Sequence, residues 1–233
     1  MKLIRIAKSI QKEVEKLRSN GKSIAIVPTM GYLHEGHLSL IRIARKKCDI
    51  VILTIFVNPT QFGIGEDFNK YPRNLKKDLA LASAENVDYV FAPEIKDMYP
   101  DGYQTFVLNY GLSRKLEGEF RPEHFKGVTT VVAKLFNLVK PHVAVFGQKD
   151  FQQAAIIKRM TADLNFDVKI IIAPIVREKS GLAMSSRNVY LSESEINKAL
   201  SLRKSLDLCA SMIQDGETDV SKISKSMHRL INK

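Results

Sequence analysis

Five short runs rich in valine and isoleucine alternate with helix-like stretches in the first part of this chain, and this alternation constrains the fold most. The runs cover residues 23–27, 49–57, 87–92, 142–146 and 168–173. Each is apolar enough to be buried on both faces, as strands of a parallel sheet are. The pattern predicts an α/β fold, a Rossmann-like, doubly wound parallel sheet that binds ligands beyond the carboxyl ends of its strands.

The pattern changes after about residue 190, where no further apolar strand follows. Residues 192–214 and 219–232 predict two helices separated by Gly216. Ser192 followed three residues later by Glu195 is a capping box, which marks the start of the first helix. We therefore expect two domains, a Rossmann-like domain over residues 1–176 and a smaller helical domain over residues 177–233.

Composition narrows the class of protein. The hydrophobic fraction of 45% and the charged fraction of 26% are ordinary for a globular protein. No apolar run reaches the roughly 18 residues that cross a bilayer, and the N-terminus lacks the apolar segment of a signal peptide. The two cysteines lie far apart, which fits a reducing compartment. We expect a cytoplasmic protein with no membrane partner.

The net charge of +11 raises the question of nucleic acid as a partner. The basic residues are scattered along the chain, whereas a nucleic-acid-binding surface needs them clustered. Attraction of small anionic substrates accounts for the same charge. We expect no nucleic-acid partner.

The most informative motif covers residues 27–37, where the first apolar run ends at Pro28 and a His-Glu-Gly-His sequence precedes a helix predicted over residues 38–48. Glycines let the backbone approach a ligand, and a helix N-terminus offers free N–H groups. His34 and His37 can donate hydrogen bonds to phosphate oxygens or transfer protons. The motif favours a polyphosphate site. A turn without function and half of a metal site are the alternatives, and the cysteines offer no metal-ligand spacing.

Four further polar motifs lie at ends of predicted elements, over residues 56–63, 121–128, 146–153 and 182–188. Each alone is also an ordinary turn or helix cap. Together they supply a lysine and an arginine for phosphates, two serine hydroxyls, one carboxylate and several amides. Because strand ends converge at one edge of a parallel sheet, we expect these groups to meet at one ligand.

Taken in order, these stretches resemble the pantoate–β-alanine ligase (pantothenate synthetase) family of the H-x-G-H nucleotidyltransferase superfamily. The matching sequences are Pro28-Thr-Met-Gly31 with His34-Glu-Gly-His37, Phe56-Val-Asn-Pro-x-Gln61-Phe, Gly147-Gln-Lys-Asp-Phe-Gln-Gln153 and Met184-Ser-Ser-Arg-Asn188. The resemblance implies ATP-dependent ligation of pantoate and β-alanine to pantothenate through a pantoyl adenylate, with release of AMP and pyrophosphate. It also implies a homodimer, and ATP bound as a complex with Mg²⁺.

The resemblance further implies roles for individual residues. The implied catalytic residues are His34, His37, Lys149 and Arg187. The implied ATP-binding residues are Met30, Gly31, Tyr32, Leu33, His34, Glu35, Gly36, His37, Gly147, Gln148, Lys149, Asp150, Val176, Met184, Ser185, Ser186 and Arg187. The implied pantoate- and β-alanine-binding residues are Asn58, Gln61 and Gln153. No protein metal ligand is implied, and Asp78 is only a weak candidate. Family members run further at the C-terminus, so we expect residues 177–233 to form an incomplete lid domain.

Two other functions compete with this hypothesis. The first is a nucleotidyltransferase that acts on a phosphorylated small molecule, for which cations rather than the amides of Gln61 and Gln153 are expected. The second is an RNA-binding module descended from a synthetase-like fold, for which clustered basic residues and exposed aromatic rings are expected. The chain has no tryptophan, and its basic residues are scattered.

Overall fold

The computed structural model describes residues 1–232. The chain divides into two compact units, the first Met1–Ile175 and the second from Val176 onward. The first unit contains one sheet of six parallel strands. The strands are β1 Lys2–Ile4, β2 Ile24–Thr29, β3 Ile50–Ile55, β4 Tyr89–Phe91, β5 Val143–Gly147 and β6 Lys169–Ala173. Their order across the sheet is β1-β4-β3-β2-β5-β6. The predicted α/β fold is confirmed.

Helices cover both faces of this sheet. They are α1 Ala7–Ser19, α2 Glu35–Arg45, α3 Leu75–Ala84, α4 Ile95–Met98, α5 Glu117–Phe120, α6 His124–Val139 and α7 Phe151–Asp163. One buried cluster joins α1, α6 and α7 to one face of the sheet, and a second joins α2 and α3 to the other. The sheet is therefore doubly wound, because apolar faces of helices shield it from water on both sides.

The strand order reverses between β2 and β5, and this reversal positions the site. Strands β3, β4 and β1 lie on one side of β2, whereas β5 and β6 lie on its other side. At such a reversal the connections leave in opposite directions and open a crevice at the carboxyl ends of the two central strands. The His-x-Gly-His motif follows β2, and Lys149 follows β5.

The structure corrects two details of the sequence prediction. Strand β1 was not predicted, because it has three residues, of which only Ile4 is buried, and it lies at the sheet edge beside β4. The first predicted run does not end at Pro28, since β2 continues to Thr29. Pro28 lies in register with Thr54 of β3, and pairing with β5 covers only Ala25 and Ile26. Proline is tolerated in a strand where no ladder partner needs its missing N–H.

The second unit contains two helices, α8 Glu193–Gln214 and α9 Val220–Ile231, which pack against each other. The predicted capping box is confirmed: the Ser192 N–H donates to Glu195 Oε2 at 2.8 Å, and the Glu195 N–H donates to Ser192 Oγ at 3.4 Å. Gly216 has φ +90° in the turn between the helices. Within residues 1–232, no helix combines the length and the apolar character needed to cross a membrane.

Candidate active site

The two histidines of the first motif cap the N-terminus of α2. The helix begins at Glu35 rather than at the predicted residue 38, and His34 is its N-cap. The Gly36 N–H donates to His34 Nδ1 at 3.1 Å, and the His34 N–H donates to His37 Nδ1 at 3.3 Å. The two imidazoles thus take the places of the serine and glutamate of an ordinary capping box. Their ring centroids lie 4.1 Å apart.

This reciprocal cap determines which ring nitrogen carries hydrogen. Nδ1 of each ring accepts a backbone N–H, so in a neutral ring the hydrogen is on Nε2. Burial, with smaller contributions from His34 and Lys149, lowers the pKa of His37 to about 3. His37 is therefore neutral near pH 7, and its Nε2–H can donate a hydrogen bond without a positive charge on the ring.

The loop before α2 is held by Asp78 of α3. The Asp78 carboxylate accepts the Tyr32 N–H at 2.9 Å and the Leu33 N–H at 2.7 Å, and the residue is 1% exposed. Gly31 has φ +82°, and a Cβ there would lie 2.9 Å from both Asp78 Oδ2 and the Ile55 side chain. Only glycine fits this close approach. Asp78 therefore fixes the loop, and no group of three potential metal-binding side chains occurs within residues 1–232.

The end of β5 carries the predicted phosphate-binding lysine. Residues Gln148–Asp150 form a 3₁₀ turn that leads into α7, and Lys149 Nζ lies 3.2 Å from Asp150 Oδ1. The Lys149 side chain is 39% exposed, and its charge helps to lower the pKa of His37. The structure thus brings the lysine after β5 close to the histidine after β2. The side chain of Gln153, in the first turn of α7, makes no hydrogen bond to any other residue in the 1–232 range.

Asn58 and Gln61 lie in a buried turn after β3. Asn58 is 1% exposed, and its Nδ2 donates to Gln61 Oε1 and to the Gly127 carbonyl, both at 3.1 Å. Its Oδ1 accepts the Tyr99 hydroxyl at 2.8 Å. Both ends of the Asn58 amide are thus occupied by protein groups, and Asn58 supports the Gln61 side chain. Within the described residues 1–232, Gln61 Nε2 donates only to Met30 Sδ, at 3.2 Å, and sulfur is a weak acceptor.

Two residues of the predicted motif over residues 121–128 hold the Gln61 backbone. The Gln61 carbonyl accepts a hydrogen bond from His124 Nδ1 at 2.8 Å and from Arg121 at 3.3 Å. Arg121 also forms ion pairs with Glu66 and Glu117. Burial lowers the pKa of His124. The sequence motif over residues 121–128 includes both Arg121 and His124, but no local pattern relates them to Gln61. Tyr99 and Glu66 were missed for the same reason.

In the second unit, the predicted Met-Ser-Ser-Arg loop follows a short antiparallel bridge between Arg177 and Ala183. The Met184 N–H donates to the Val176 carbonyl at 3.0 Å. Residues Ser186–Tyr190 form a 3₁₀ turn that Ser185 caps through the Arg187 N–H. Asn188 anchors the turn, because its Nδ2 donates to Glu178 Oε1 at 2.6 Å and to the Ala183 carbonyl at 3.1 Å.

Comparisons with known proteins identify one family. The family model described as Pantoate-beta-alanine ligase matches residues 2–233. A pantothenate synthetase of Acetivibrio thermocellus is 55% identical over 225 residues, which cover 97% of this chain and 80% of the relative. The pantothenate synthetase of Geotalea uraniireducens is also 55% identical, over 232 residues that cover 100% of this chain and 82% of the relative.

Solved structures of high similarity give the same result. The crystal structure of pantothenate synthetase from Thermus thermophilus has a TM-score of 0.94 and 42% identity, and the match covers 100% of this chain and 82% of that one. The pantoate-β-alanine ligase of Francisella tularensis, in a complex with β-γ ATP and β-alanine, has a TM-score of 0.84 and 36% identity, with 99% and 86% of the two chains covered. The chain therefore belongs to the pantoate–β-alanine ligase family.

Proposed function

We propose that this ligase works through a pantoyl adenylate formed from ATP. An oxygen of the pantoate carboxylate attacks the α-phosphorus, the bond to the oxygen that bridges to the β-phosphate breaks, and pyrophosphate leaves. The amine of β-alanine then attacks the acyl carbon. The bond to the AMP oxygen breaks, the amine loses a proton, and pantothenate and AMP are released.

The observation that carries this proposal is the position of the capped histidines and Lys149 at the reversal of strand order. The N-terminus of α2 offers N–H groups and partial positive charge to phosphates. Lys149 adds a full charge beside His37, where negative charge builds up on the leaving pyrophosphate. Such preorganised groups stabilise a transition state without a covalent nucleophile.

The remaining nucleotide contacts follow the family's pattern. We assign the phosphates to Met30–His37, Lys149 and the Met184–Arg187 loop, with Arg187 as a catalytic cation beside the two serine hydroxyls. Gly147, Gln148 and Asp150 are assigned to the ribose side, and the backbone of Val176 to adenine. The complex of the Francisella tularensis enzyme with β-γ ATP supports an ATP site. Mg²⁺ enters as part of the substrate, held by phosphates and waters, because the Asp78 carboxylate is already occupied.

Pantoate is assigned to the two glutamines. Gln61 and Gln153 carry amides that donate and accept together, so they can pair with a hydroxyl and a carboxylate oxygen at once. The Gln61 Nε2 donates to the Met30 sulfur, and substrate oxygen is a better acceptor than thioether sulfur. Asn58 holds the Gln61 amide in place for this contact.

Pantoate-dependent exchange of pyrophosphate into ATP tests the proposed chemistry. We expect exchange with pantoate and Mg²⁺ in the absence of β-alanine, because the adenylate forms before the amine reacts. A reaction without pantoate is the control. Exchange that appears only with a phosphorylated acceptor would show that the chain is a nucleotidyltransferase of a different kind.

Replacing Gln61 by leucine is expected to weaken pantoate binding by about 1–3 kcal/mol, because polar groups of the bound substrate lose their partner. ATP affinity should stay unchanged. Titration of each ligand separately measures both effects, with Gln11→Leu on α1 as a control for the same chemical change outside the site. Equal loss of pantoate and ATP affinity would mean that the turn after β3 has collapsed.

We also propose that the protein is a homodimer. Residues between α4 and α6 expose large apolar side chains, namely Phe106, Leu108, Tyr110, Leu112, Leu116 and Phe120. Neighbouring exposed apolar side chains of this kind mark an interaction surface. Light scattering should give twice the mass of one chain, and Leu108→Asp should shift the mass toward one chain. A wild-type monomer at micromolar concentration would contradict the proposal.

The cytoplasm is the compartment that we propose for this reaction. Cys48 is buried and Cys209 is partly buried, and both are free thiols. Free thiols persist where glutathione and thioredoxin keep the compartment reducing.

A further inference from the structure

A cavity of about 570 Å³ lies in the first unit at the carboxyl ends of β1, β3 and β4. This volume falls within the range of about 300–1,000 Å³ that is typical of small-molecule sites. The histidines, Lys149 and the two glutamines assigned to pantoate are not among its lining residues. None of these proposed catalytic groups lines the cavity, which lies at the edge of the sheet where α/β proteins bind ligands.

The lining combines an apolar wall with exposed cations. The apolar side chains include Ile55, Val57, Leu75, Pro93 and Ile95, and the cations are Arg5, Arg73 and Lys96. This composition suits a molecule with an apolar body and a negatively charged group.

The cations are only partly neutralised by the protein. The Arg5 guanidinium forms no ion pair or hydrogen bond with another residue in the described range 1–232. Arg73 donates to the carbonyl oxygens of Tyr71 and Phe68, at 2.9 and 2.8 Å, and forms no ion pair with another residue in the described range 1–232. Lys96 pairs with Glu94 at 3.2 Å. The other acid of the lining, Asp78, is occupied by loop N–H groups, so positive charge predominates.

Two lining residues connect the cavity with the proposed catalytic site. Met30 contributes to the wall, and its sulfur accepts the hydrogen bond from Gln61 Nε2. Asp78 also contributes to the wall and holds the N–H groups of the loop before α2. A molecule in the cavity that moves Met30 therefore changes the hydrogen bond of Gln61, the glutamine that we assign to pantoate.

We propose that this cavity is an effector site for a small amphipathic anion, an apolar body that carries one carboxylate or one phosphate. The anionic group pairs with Arg5 and Lys96, and the apolar body lies against Ile55 and Pro93. The effector binds together with the substrates and changes the affinity for pantoate through Met30. The coupling part of this inference rests on the assignment of Gln61 to pantoate, whereas the binding part does not.

Calorimetric titration with hexanoate, hexyl phosphate and neutral 1-hexanol tests the binding part. The catalytic site is first saturated with pantoate and α,β-methylene-ATP, so that the probes cannot bind there. We expect at least one anion to bind and hexanol to bind more weakly. The comparison of the two anions shows which anionic group the cavity prefers. The double variant Arg5→Gln/Lys96→Gln should lose about tenfold or more in affinity for that anion.

The matched control for net charge is the double variant Lys8→Gln/Lys12→Gln. It changes two exposed lysines of α1 that lie outside the cavity. Equal loss in both double variants, or no binding of either anion, would overturn the site.

Pantoate titration with and without the anion tests the coupling. The expected change in pantoate affinity is about fivefold or more in the wild type, and none in Arg5→Gln/Lys96→Gln. An unchanged pantoate affinity would overturn the effector role. Pyrophosphate exchange, measured separately without probes, shows whether the proposed chemistry itself has failed.

Discussion

Replacing Lys149 by alanine is expected to slow adenylate formation about 10²–10³-fold, the usual loss for one preorganised charge-stabilising group. The ammonium group follows β5 and lies near His37 at the reversal of strand order, where the phosphates are proposed to bind. Lys149 is one of the groups that lower the pKa of His37, after burial and His34. The loss should appear in the rate of the chemical step rather than in ATP affinity alone.

Single-turnover measurement of AMP formation with pantoate and ATP separates the chemical step from product release. Lys158→Ala removes the same charge from an exposed position of α7 and serves as the control. If Lys149→Ala keeps a near-normal single-turnover rate while its ATP affinity falls, Lys149 binds the nucleotide but does not stabilise the transition state.

His37→Ala is expected to slow the same step about 10²–10³-fold, because it removes the Nε2–H that we assign to a phosphate oxygen. The pKa of His37, lowered to about 3, makes the neutral ring the donor before ATP binds. His37→Gln, which keeps an N–H donor but cannot become an acid, should therefore retain more activity than His37→Ala. His228→Ala, at an exposed position of α9, is the control. Equal activity of the two His37 variants would indicate that His37 acts as an acid.

The same pKa makes the stability of the free enzyme depend on pH. Between about pH 3 and pH 6.5 the unfolded chain binds a proton at His37 that the folded chain does not bind. The free energy of unfolding therefore rises with pH across this window. Urea unfolding measures the free energy of unfolding at about pH 6.5 and about pH 5. Between these pH values the free energy should fall by about 1–2 kcal/mol more in the wild type than in His37→Gln. Identical drops would show that His37 is accessible to protons in the folded state.

The first unit shows which features local sequence can predict. Parallel strands are buried on both faces, so each forms a continuous apolar run, and five of the six strands were located in this way. The motifs after β2 and β5 were recognised because their glycines and polar side chains are close together in sequence. The edge strand β1 was not predicted, because three residues with two exposed side chains have no periodicity.

The supporting contacts of the site could not be predicted, because they join distant residues. Asp78 holds the Tyr32 and Leu33 N–H groups across more than forty residues of sequence. The Tyr99 hydroxyl donates a hydrogen bond to Asn58 over a similar separation in sequence. A carboxylate in the first turn of a helix, or a tyrosine before a proline, has no local signature that distinguishes such a role from solvent exposure.

The sequence by itself therefore determined the class of fold, the family and the residues expected to react, since hydrophobic periodicity and short motifs are local properties. Only the tertiary structure decided that His34 and His37 cap each other through Nδ1, that burial keeps His37 neutral, and that Asn58 supports Gln61. The physical reason is that hydrogen-bond partners, burial and pKa depend on which atoms are neighbours in space, and packing of the sheet and its helices sets those neighbours.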